Sequence, residues 1–137
     1  MGECSGYLAR SYAQLGRTTE AKAVLIEALR YAALEHDEFA EAKALGALGI
    51  MSFKDNDFAH ATEYLEKAID IHCRIESEHI GECSSYLARS YAQLGRKSEA
   101  RQLIETVLGG SRLRPKEREK LEQLLLRLKR ESVREYE

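Results

Sequence analysis

Gly2–Arg17 reads GECSGYLARSYAQLGR and Gly81–Arg96 reads GECSSYLARSYAQLGR, and only Gly6 against Ser85 breaks the match across sixteen positions. The blocks start 79 residues apart, and Lys43–Gly49, KALGALG, is a weaker copy midway between them. The underlying period is therefore about 40 residues, in the range of solenoid repeats. Three units follow, at about 2–38, 39–79 and 80–110, with a further segment over 111–137.

Outward from these blocks the apolar spacing is helical. Ala21, Val24, Leu25, Ala28, Leu29 and Ala32 fall on one face of a 3.6-residue period. Ala61, Tyr64, Leu65, Ala68 and Ile69, then Ala100, Leu103, Ile104, Val107 and Leu108, repeat the layout. A breaker precedes each run: Gly16-Arg17-Thr18, Asp55-Asn56-Asp57 and Gly95-Arg96-Lys97, with Asp57 and Ser98 as expected N-caps. Each unit thus reads as two helices joined by a tight turn. Past Gly109-Gly110, Pro115 opens a last helix with Leu121, Leu124, Leu125 and Leu128 on one face. A stacked array leaves an apolar end that needs a cap with a polar outer side. A dimerising coiled coil is the competing reading of the same leucines, although only about two heptads are visible.

Composition narrows the function classes. The chain has 137 residues, enough for one domain, with 44% hydrophobic and 32% charged residues, a foldable balance. Twenty-one basic against 23 acidic residues give a net charge of −2, which implies no general attraction to nucleic acid or an anionic membrane. No stretch is long and apolar enough for a membrane span, and the first residues lack a signal-peptide layout, so a cytoplasmic protein is expected. Cys4, Cys73 and Cys83 are odd in number and without C-x-x-C spacing, which suits free thiols.

The spaced pattern of Leu-Ala or Leu-Gly, Tyr, turn Gly and two small residues resembles the tetratricopeptide repeat (TPR) family. The first unit supplies Leu8-Ala9, Tyr12, Gly16, Ala21 and Ala28; the second Leu45, Leu48-Gly49, Asn56, Ala61 and Ala68; the third Leu87-Ala88, Tyr91, Gly95, Ala100 and Val107. Ser5 and Ser84 stand where that family usually has a large aromatic, and no Pro ends the second helices. The long period resembles the subclass found in Pins-type spindle-orientation adaptors and kinesin light chains. The resemblance implies an all-α fold, a right-handed α-solenoid of three TPR-like hairpins with a C-terminal capping helix. Small residues at Ala9, Gly49 and Ala88 would let paired helices approach closely.

Chemistry-bearing patterns are missing. His36, His60, His72 and His79 are scattered without metal-ligand spacing and read as surface and joint residues. Cys4 and Cys83 read as small packing residues, and no phosphate-binding glycine loop occurs. The expectation is a noncatalytic chain with no catalytic residues, no metal and no cofactor.

The resemblance places a ligand on the concave face lined by the first helix of each unit. By that carry-over the face presents Arg10 and Gln14, then Lys43, Gly46, Ile50, Phe53 and Lys54, then Arg89 and Gln93. Arg beside apolar residues left facing solvent suits a partner protein or peptide that is acidic and partly apolar. The positions of the family's carboxylate clamp hold Gly6, Arg10, Ala47, Glu82 and Tyr86, so that clamp is absent. Neither nucleic acid nor membrane is an expected partner. The identity of the first and third units stops sharply at Arg17 and Arg96, which implies a recent partial duplication or an engineered copy. An edge repeated in this way also suits homo-oligomer formation by helix exchange, the alternative reading of function.

Overall fold

The computed structural model describes residues 18–110 and 113–135, with side chains described to Glu131. Arg10 and Gln14 of the expected binding face lie outside the described residues. Six helices follow one another: α1 (Thr18–Leu34), α2 (Glu38–Lys54), α3 (Phe58–Arg74), α4 (Ile80–Gln93), α5 (Lys97–Gly110) and α6 (Pro115–Glu135). No strand occurs among the described residues. The arrangement is an all-α repeat array.

One turn design recurs at four helix ends. His36, Asn56, Glu76 and Gly95 each adopt a left-handed backbone, with φ of 54°, 62°, 54° and 79°. The next residue's amide then reaches the carbonyl five residues back: Asp37 to Ala32, Asp57 to Ser52, Ser77 to His72 and Arg96 to Tyr91, at 2.8–2.9 Å. This is the Schellman termination, which satisfies helix-end carbonyls that would otherwise lack donors. Only Gly95 adopts that backbone without a Cβ penalty, and Asn56 tolerates it better than His36 or Glu76. Asp37 and Asp57 then cap the following helices, accepting from the amides of Ala40 and His60 at 3.1 and 3.3 Å. Ser98 does not take the expected cap position, because α5 already begins at Lys97. Arg96 instead reaches forward to Glu99 across that helix start.

Hairpin packing follows the small residues. A Cβ placed on Gly49 would stand 2.5 Å from Leu65 Cγ, so α2 and α3 sit at a separation only glycine permits. Ala61, Leu65, Ala68, Leu87, Ala88 and Ile104 are almost fully enclosed in one continuous core. Each such Leu or Ile contributes about 1.5–3 kcal/mol of burial. The apolar face of α6 joins that core through Leu121, Leu124 and Leu128, so these leucines are consumed inside the chain as a cap. Gly81, at the start of α4, gives α6 its close approach: a Cβ there would lie 2.5 Å from Glu117 Oε2.

Candidate partner-binding surface

Phe39, Lys43, Gly46, Ile50 and Phe53 recur every three or four residues and share one side of α2. Helix α4 runs against that side. At one end the Phe39 and His79 rings are 5.4 Å apart. In the middle, a Cβ on Gly46 would stand 3.1 Å from Cys83 Sγ. At the other end the Phe53 and Tyr86 rings meet edge to face at 5.3 Å and 72°, and Phe58 adds a second edge contact to Phe53 at 5.5 Å.

This arrangement revises the expected groove. Gly46 is buried between helices and presents nothing to a ligand. Ile50 and Phe53 do not stand free in solvent; both are half-buried against the core. Arg89 is exposed and lies over this cluster, its guanidinium carbon 4.8 Å from the Phe53 centroid and 5.3 Å from that of Tyr86. Among the described residues no carboxylate pairs with it. Lys54 and Gln93 are exposed at the C-terminal ends of α2 and α4. Lys43 belongs to the opposite end, with its ammonium 5.5 Å from the Phe39 centroid. The structure therefore joins Phe53 and Arg89, with Ile50 beside them on α2, and sets Lys43 apart.

Two groups were missed by the sequence reading. Tyr86 and Phe58 complete the Phe53 cluster, and an aromatic cluster of Phe39, His72 and His79 fills the other end. Extending the α2 stripe one turn toward its start would have found Phe39. His72 was expected at a surface or joint, yet it is 1% exposed, with Nδ1 lacking a hydrogen-bond partner among the described residues. Burial, and then the positive charge of nearby His79, push its pKa down to about 4. The Cys83 thiol is pushed up to about 12, first by burial and then by Glu82 and Glu117, so it is an inert packing group. Tyr91 donates to Glu66 Oε1 at 2.5 Å and ties α4 to α3; burial and that carboxylate raise its pKa.

No described helix is long and apolar enough to cross a membrane. Among the described residues, no three His, Cys, Asp or Glu side chains converge as a metal site.

Family models described as tetratricopeptide repeat match residues 4–74 and 82–106. Among solved structures, the TPR-like repeats assigned to a kinesin light chain of Podosopora anserina superimpose with a TM-score of 0.64 at 25% identity. A variant form of that protein superimposes with a TM-score of 0.67 at 24% identity. Both matches cover 78% of this chain and 53% of the other, so the chain spans about half the length of those structures. The sequence matches none of the curated proteins with which it was compared.

Proposed function

For a chain that belongs to the tetratricopeptide repeat family, whose arrays serve protein–protein interaction, we propose a noncatalytic scaffold that holds an acidic, partly apolar peptide on the α2–α4 face. The observation that carries this reading is Arg89. A guanidinium lying on two aromatic rings, exposed and with no carboxylate partner among the described residues, is held in place to grip one from elsewhere. Phe53 and Ile50 supply partial apolar contact beside it, Lys54 and Gln93 the rim. Lys43 supplies a second cation at the far end, and Arg10 and Gln14 are the residues that the repeated sequence block equates with Arg89 and Gln93.

Arg10→Glu combined with Arg89→Glu tests the proposal on an array of acidic and charge-neutral peptides. The expected result is at least a tenfold loss of acidic-peptide binding with helicity unchanged by circular dichroism. Binding that survives the double reversal would remove this face as the site.

Self-association is a second reading, favoured by one observation: the helix α4 that docks on the second hairpin is nearly duplicated, residue for residue, in Gly2–Arg17.

A further inference from the structure

Helix α4 is the sole described helix that links the C-terminal part of the chain to the second hairpin. Helices α5 and α6 pack on α4 and on each other, and neither closely approaches α2 or α3. Beside the shared core, four side chains of α4 mark the joint. Cys83 lies against Gly46, Tyr86 and Arg89 sit on Phe53, and Tyr91 bonds to Glu66. Residues Cys4, Tyr7, Arg10 and Tyr12 repeat all four, in order and at the same spacing. The single mismatch in the block falls at Ser85, which is half-buried and makes none of these contacts.

We propose that the face of α2 and α3 beneath α4 is a socket shared between copies, in which Gly2–Arg17 of a second chain replaces Gly81–Arg96. This rests on the self-association reading and gives it a geometry. Over the repeated block donor and native helix offer the socket the same side chains except at Ser85, while the buried Ile80 and the His79 ring on Phe39 lie outside that block and favour the native helix. Tethering favours it further. The short Glu76–His79 connection holds α4 at an effective concentration of order millimolar. A donor at about 10 μM therefore fills at most roughly 1% of sockets, a share that rises with concentration. Gly6, in place of Ser85, makes the donor the weaker helix former and further favours the closed chain. Because donor segment and socket are different surfaces, the assembly is head-to-tail and can continue beyond a dimer.

The buried glycine supplies the probe. A side chain at position 46 would lie within disulfide reach of whichever cysteine occupies the place of Cys83. In the full chain carrying Gly46→Cys and Cys83→Ala, oxidation across about 10 to 500 μM should yield interchain disulfides between Cys4 and the new thiol. Peptide mapping identifies them, their share should rise with concentration, and Cys4→Ser should abolish them. Should the double variant fail to fold, Gly46→Cys alone reads the same competition, as the ratio of links made by Cys4 to links made by Cys83. Multimers in light scattering without the Cys4 link would overturn the socket while leaving self-association standing. A monomer at every concentration, with no such link, would overturn both.

Discussion

At its start, helix α2 presents Phe39 to His79 and the buried His72; at its end, it presents Phe53 to Tyr86, Phe58 and Arg89. Both ends use a phenylalanine ring contact to seat α4, edge-on at Phe53 and tilted at Phe39, yet the nitrogen groups beside it differ in kind. The Phe53 end carries the exposed Arg89 guanidinium, which lies over the Phe53 and Tyr86 rings. The Phe39 end encloses the His72 imidazole, whose pKa burial pushes down to about 4, so protonation of that ring weakens this end. One helix contact therefore combines an exposed guanidinium half with a buried imidazole half that depends on pH.

The most damaging way to break the comparison acts on both ends at once. Gly49 lies between them and faces α3; Gly49→Leu would drive a side chain into Leu65. A loss of roughly 3 kcal/mol in denaturant unfolding is expected, with both ends lost together. A near-neutral outcome would mean that the hairpin yields and the two ends respond separately.

A smaller effect separates the ends by pH. Unfolded His72 takes up its proton near its ordinary pKa of 6.5, whereas the folded ring does so only at about 4. Between those values the unfolded chain binds more protons, so stability is complete above pH 6.5 and falls as pH falls toward 4, the loss being about 2 kcal/mol at pH 5. His72→Leu keeps similar volume, removes the unpaired Nδ1 and should flatten this part of the profile. Unfolding midpoints from pH 7.5 to 4 check it, and a slope unchanged in the variant would assign the acid sensitivity to other groups.

The mildest change sharpens the contrast. Arg89→Gln lifts the cation from Phe53 and should cost about 0.5–1 kcal/mol, equally at pH 7.5 and pH 5. A cost that differs between the two pH values would show that the ends communicate through α2.

The hairpins were legible because their signals are local. Apolar spacing in Ala61–Ile69, the breaker Asp55-Asn56-Asp57 and the Asp57 cap each act within a few residues, and each reappears in the structure. The packing role of Gly49 was equally readable, since a missing side chain at a small-residue position states how close the neighbour must come. The left-handed His36 and Glu76 were not, because neither residue type announces that conformation. Gly46 was misplaced on the open face for a related reason: helical spacing says which residues share a side, but not which neighbour covers it.

By itself, the sequence determined the repeat period, the helix faces, the capped turns and membership in a repeat class, since all of these depend on contacts within about 40 residues of chain. The packing of α4 against α2 was decided only in three dimensions. That packing sets Cys83 against Gly46, Tyr86 against Phe53, and Arg89 over the Phe53 ring. It arises from the way rows of unequal side chains interlock between helices distant in sequence, which no one-dimensional spacing records.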